Sequence, residues 1–125
     1  MDGGKKLMWN KPTDKQLSKI PKLYATQNTR PENKKIYMHF FIGDTDWYIA
    51  EYDGEDMFYG FTILNGWVND AEWGYISYKE LQSLRVPPGF EVDRDMYWTV
   101  VKAGDIEKIH SCPHAFSKKF KKKVK

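Results

Sequence analysis

Only one cysteine, Cys112, stands in the 125-residue chain. No intrachain disulfide can form, so packing alone must hold the fold, and a reducing compartment suits it. Long apolar runs are also missing. Nothing approaches the roughly 20 residues that span a bilayer, and Met1 to Asn10 lack the apolar stretch of a secretory signal, so the expected location is cytoplasmic. The familiar catalytic signatures are absent: there is no phosphate-binding glycine loop, dinucleotide fingerprint, His-Glu-x-x-His pair or serine elbow. Three histidines, His39, His110 and His114, are spaced so that no triad assembles. The chain therefore leans away from an enzyme. No repeat of fixed period is visible, which excludes solenoids.

What is present describes one globular domain with a real core: 41% hydrophobic residues, 16% aromatics and 30% charged residues. The net charge of +3 hides a segregation. Between Asp44 and Trp73 the charged residues are Asp44, Asp46, Glu51, Asp53, Glu55, Asp56, Asp70 and Glu72, with no lysine or arginine. The ends are basic. The division expected is a basic extension over residues 1–19, a single α+β domain over 20–110 and a basic tail over 111–125.

Local patterns fill in that domain. Thr13 or Asp14 can cap a short helix carrying Leu17 and Ile20, ended by Pro21. Residues 35–42 alternate as a strand with both faces partly covered. Gly43-Asp44-Thr45-Asp46 supplies a turn, and the return strand sets Trp47, Ile49 and Glu51 against Tyr48, Ala50 and Tyr52. Asp53-Gly54 is a strong hairpin signal ahead of a third strand, residues 57–64. A short strand over residues 73–77 precedes a capping box, Ser77 with Glu80, and a helix with Tyr78, Leu81 and Leu84 on its inner side. Pro87 and Pro88 stop that helix. Residues 95–101 read as a further strand, followed by a short turn of helix with Ile106 and Ile109. The sum is α+β: an antiparallel meander of about four to six strands with two or three short helices.

Three places carry candidate chemistry. The acidic, aromatic meander gathers Trp47, Tyr48, Glu51, Tyr52, Asp53, Glu55, Asp56 and Tyr59, a mixture suited to a docking surface for a protein with a basic surface. The tail offers Lys118, Lys119, Lys121, Lys122 and Lys123, with Phe116, Phe120 and Val124 at helical spacing, as an alternative surface for nucleic acid. His110, Cys112 and His114 would point one way in an extended segment, but a fourth ligand is undefined and Pro113 can bend the chain. A plain connector is the reading there, and no metal or cofactor is expected.

The string Leu23-Tyr24-Ala25-Thr26, then Trp47-Tyr48 and the block from Glu51 through Tyr52, Asp53, Gly54, Glu55, Asp56, Met57, Phe58 and Tyr59 to Gly60, resembles a family of small bacterial, phage and mobile-element proteins known only as a domain of unknown function. The likeness continues through Trp73 to Ser77, Glu80-Leu81 and Arg94 to Tyr97, covering about residues 20–101. It transfers no catalytic residues. It implies a setting of plasmids and phages inside a bacterial host, where proteins often counter host defence. Together these lead to an expected role as a non-enzymatic binding protein that blocks a basic, nucleic-acid-binding site on a host macromolecule. Nucleic-acid binding through the tail, and a small-ligand or enzymatic pocket in the aromatic sheet, are the alternatives. The oligomeric state is left open.

Overall fold

In the computed structural model, which describes residues 10–116, the alternating middle of the chain becomes an antiparallel meander. Strand β1 (Lys35–Ile36) leads into β2 (Met38–Ile42), which turns at Gly43 and Asp44 into β3 (Thr45–Tyr52). Gly43 lies at φ +56°, a left-handed value free of penalty for glycine, and the turn pairs Ile42 directly with Thr45. Then β4 (Met57–Ile63) returns along β3, and β5 (Glu72–Ser77) along β4. A small separate hairpin joins β6 (Arg85–Val86) to β7 (Phe90–Glu91). Next, β8 (Asp93–Arg94) pairs with β2, giving a five-stranded sheet of order β5-β4-β3-β2-β8. Finally β9 (Val101–Lys102) pairs with β1. With helices α1 (Asp14–Leu17), α2 (Tyr78–Ser83) and α3 (Glu107–His110), the fold is α+β, with a largely meander sheet and three short helices.

Both faces of the sheet are covered. On one face Leu17 and Ile20 from the α1 region and Tyr78 and Leu81 from α2 pack on Met38, Phe40, Trp47, Ile49, Phe58 and Ile76. On the other, Ile109, Cys112, Ala115 and Phe116 from α3 and the segment after it pack on Tyr48, Phe61 and Ile63. Every residue of β3 is buried as a result. Phe40, Phe58 and Phe61 are fully enclosed, and each such ring contributes roughly 1.5–3 kcal/mol by leaving water. The packed core runs past the expected limits of 20 and 110, because Leu17 closes one face and Cys112, Ala115 and Phe116 close the other.

A bulge in β3 changes the expected facing. Ile49 pairs with Gly60 but Glu51 pairs with Tyr59, so Ala50 is an extra residue. Strict alternation would put Glu51 beside Trp47 and Ile49 in the α1–α2 core. The inserted residue turns Glu51 to the α3 face and sends Tyr52 to the α1–α2 face, against Phe58 at 4.8 Å between ring centroids. Gly60 makes this possible: a Cβ there would lie 2.0 Å from the Tyr48 carbonyl oxygen.

Other local expectations need correction. Residues 95–99 form no strand, since Asp95 accepts from the Tyr97 amide and the Trp98 amide bonds back to the Asp95 carbonyl, closing a turn. Trp98 is held there by its indole N–H, which donates to the Ile36 carbonyl at 2.9 Å. Ser77 does accept from the Glu80 amide, but the reciprocal partner is Asp56, which accepts from the Ser77 hydroxyl and from the Lys79 amide. The Thr13 cap is a complete capping box with Gln16.

Candidate functional site

The structure divides the expected docking residues instead of gathering them. Trp47, Tyr48 and Tyr52 are core residues on a strand covered on both faces, so they form no exposed ring platform, and Trp47 reaches a surface only in the floor of a cleft. Burial pushes the Tyr48 phenol far above its ordinary range, an effect the neighbouring Asp46 charge reinforces. Asp53 spends its carboxylate on the turn, accepting from the amides of Glu55, Asp56 and Met57, and these bonds hold its carboxyl below the usual range. Asp56 caps α2. Glu51 is buried and accepts from the amides of Tyr24 at 2.8 Å and Thr26 at 3.0 Å and from the Thr26 hydroxyl. Among the eight, Glu55 is exposed and Tyr59 is half-buried.

The other two candidates fare differently. Helix α3 breaks the extended geometry that would align His110, Cys112 and His114. Cys112 is buried in the α3-face core, and the ring of His110 bonds the Gly104 carbonyl. No cluster of metal-ligating side chains occurs among the described residues. Lys118, Lys119, Lys121, Lys122 and Lys123 lie outside the described residues.

An acid-rimmed groove runs beside the free edge of the sheet. Among the described residues β5 pairs with β4 alone, so the outer backbone groups of this six-residue strand have no strand partner there. On the α1–α2 side of that edge lies a cleft of about 430 Å³ with Trp47, Thr62, Gly74 and Ile76 in its floor and Leu64, Leu81 and Leu84 in its walls. Asp70, Glu72 and Glu80 line it, and no lysine or arginine does. None of these carboxylates forms an ion pair among the described residues. Gly74 keeps the floor open, since a Cβ there would meet nothing within 4 Å. Leu64 and Leu84 add exposed apolar surface. Of these the sequence reading named only Trp47 as a site residue, although Asp70 and Glu72 belong to the acidic run.

A second unanticipated cluster joins His39, Asp46 and Lys108. His39 Nε2 lies 2.7 Å from Asp46 Oδ1, and Lys108 Nζ donates to the other carboxylate oxygen. Burial alone pushes the Asp46 carboxyl up, but the hydrogen bonds and charges of His39 and Lys108 outweigh it and hold the group below its ordinary value. The imidazole stacks on Tyr48 at 4.6 Å, and its Nδ1 is enclosed, 3.9 Å from Asp95 Oδ2. Asp93, Asp95 and Tyr97 line the adjoining cavity beside His39 and Asp46. The cluster's position pins α3 to the sheet. The hairpin register contained the signal: Ile42 opposite Thr45 makes His39 and Asp46 diagonal neighbours on one face.

These features define a small α+β domain whose antiparallel sheet carries packed residues on both faces and ends in a six-residue edge strand, β5. The chain belongs to DUF2958, a family of proteins of unknown function, whose model matches residues 14–103. That span includes the groove and the Glu51 loop, and stops short of the α3 segment that supplies Lys108, Cys112 and Phe116. No curated protein and no solved structure matches the chain. No helix among the described residues is long and apolar enough to cross a membrane.

Proposed function

We propose that this protein is a non-enzymatic binding module that captures a basic, extended segment of another protein along the free edge of β5. The observation that carries the reading is the conjunction of an unpaired edge strand with an apolar groove whose charged lining is entirely acidic. An extended segment can add to such an edge by main-chain hydrogen bonds, while alternate side chains enter the groove. Lysine or arginine side chains would meet Asp70, Glu72 and Glu80, and their apolar stems would cover Leu81 and Leu84. Carboxylates at a rim steer a cationic partner and set salt dependence more than they set affinity. A basic segment held in this way is withheld from nucleic acid, so the biochemical effect is competitive blockade. The plasmid and phage setting implied by the family resemblance suits a role against a host nucleic-acid-binding protein.

The test is equilibrium binding of a synthetic peptide in which lysine or arginine alternates with valine. Gly74→Val should fill the groove floor and weaken capture at least tenfold without lowering the melting temperature, because a Cβ there meets nothing within 4 Å. Glu72→Lys with Glu80→Lys should weaken it further at low salt and have less effect at high salt. Undiminished capture by both variants with the fold intact would sink the proposal.

A further inference from the structure

The α3 face carries a second cleft, of about 410 Å³, on the other side of β5 from the edge groove, and Tyr75 borders both. The β-bulge turns Glu51 to this face, and the two amide bonds to its carboxylate fix the loop through Tyr24 and Thr26. That loop holds Tyr24 at φ +71°, a left-handed conformation that L-residues other than asparagine and aspartate rarely adopt. The product of this arrangement is a ring placed in solvent: Tyr24 is 60% exposed and Tyr75 opposite it 57% exposed. Tyr59 forms the floor, its ring centroid 5.3 Å from that of Tyr75 at an interplanar angle of 64°. Tyr24 and Tyr75 thus present exposed ring surface above Tyr59, on a loop tied down by a buried carboxylate.

We propose that the Tyr24–Tyr59–Tyr75 cleft binds a nucleobase, stacked on the exposed tyrosine faces. A cationic ligand, the usual occupant of an aromatic box, is disfavoured by the site's own contents. Lys34 is buried beneath, its ammonium 5.8 Å from the Tyr59 centroid and bonded to the Thr26 carbonyl and hydroxyl. Glu51 already answers that charge, and its carboxylate is already accepting three hydrogen bonds. A second cation would therefore meet an occupied counter-ion and a resident positive charge. A flat ring that is neutral, or that carries an anionic phosphate, meets no such conflict. Gln27 and Thr29 also line the cleft and offer an amide and a hydroxyl to the edge of a base.

Titration of the full chain with AMP, GMP, CMP, UMP and a short oligothymidylate, followed by intrinsic fluorescence and calorimetry, tests this. Saturable binding of at least one probe is expected, weakened about tenfold by Tyr75→Ala, the loss typical of one stacking partner. Tyr24→Gly should weaken it similarly while leaving the fold at least as stable, since glycine is at ease at that φ. Binding of the monophosphates identifies a free nucleotide as the source, and binding of the oligothymidylate alone identifies an unpaired base in a single strand; either supports the site. Three results would overturn it: no saturable binding of any probe, binding indifferent to both substitutions, or preferential binding of tetramethylammonium.

Discussion

Strands β3 and β5 are written in the same alphabet, Thr-Asp-Trp-Tyr-Ile-Ala-Glu-Tyr in one and Glu-Trp-Gly-Tyr-Ile-Ser in the other, yet their side chains meet opposite fates. β3 has a neighbour on each edge and a covered face on each side, so its acids and rings are enclosed. β5 has one neighbour, and it keeps Glu72 and Tyr75 in water. A mixture of carboxylates and aromatics therefore says little about recognition until the position of the strand in the sheet is known. In the centre the carboxylate becomes a structural anchor that must be fully hydrogen-bonded, and at the edge it remains available to a partner.

The sharpest way to break this contrast is to remove one glutamate from each strand. Glu51→Ala would strand the Tyr24 and Thr26 amides and leave the buried Lys34 without its counter-charge. Each buried amide left without an acceptor typically costs about 1–3 kcal/mol, so the two together should cost roughly 4 kcal/mol. Glu72→Ala should stay within about 0.5 kcal/mol, as exposed substitutions do. Urea unfolding midpoints of the two variants measure the difference, and equal midpoints would refute the assignment of Glu51 as an anchor.

Gly60 and Gly74 are direct cross-strand partners and allow the same comparison one size smaller. Gly60→Ala should lower stability by about 3 kcal/mol, the upper range for forcing atoms into a packed site, because its Cβ collides with the Tyr48 carbonyl. Gly74→Ala should be neutral or slightly stabilising, since its Cβ enters open space. Thermal melts of the pair decide it.

Asp46, also in β3, gives the comparison a pH axis. Its folded carboxyl titrates below the ordinary value, so its stabilisation is complete above about pH 4 and is lost as pH falls through the lower folded value. Asp46→Asn should cost about 2 kcal/mol at neutral pH, the scale of a charge-assisted hydrogen bond. It should also flatten the acid limb of a stability–pH curve. A wild-type curve with the same acid slope as the variant would show that the His39 and Lys108 contacts do not persist in solution.

Much of the fold is legible in the residues themselves, because turns and caps act locally. Gly43-Asp44, Asp53-Gly54, Thr13 and Ser77 each mark their element through backbone conformation or a short-range hydrogen bond. The bulge at Ala50 was illegible from its own strand, which carries neither glycine nor proline there. Its trace lies across the ladder, in Gly60, and only pairing reveals it. Assignment of edge and centre was hidden for the same reason, since it is a property of sheet order and not of any one segment. Lys108 reaches Asp46 across 62 positions of sequence, beyond any local pattern. Asp56 was read as part of a surface cluster, while its actual work is to cap a helix two strands further along the chain.

The smallest expected effect concerns the turn that joins β3 to β4, where the two fates meet in adjacent residues. Asp53 accepts from three successive amides, and Asp53→Ala should cost about 1 kcal/mol by releasing them. The exposed Glu55 side chain makes none of these bonds, so Glu55→Lys should change stability by less than about 0.5 kcal/mol. The same variant discriminates between two accounts of recognition. If capture of the basic peptide depends on the geometry of the β5 groove, Glu55→Lys should reduce affinity much less than Glu72→Lys, because Glu55 does not line it. If the two charge reversals weaken capture equally at low salt, the partner senses the summed acidity of the chain's middle, and the groove is not what selects it.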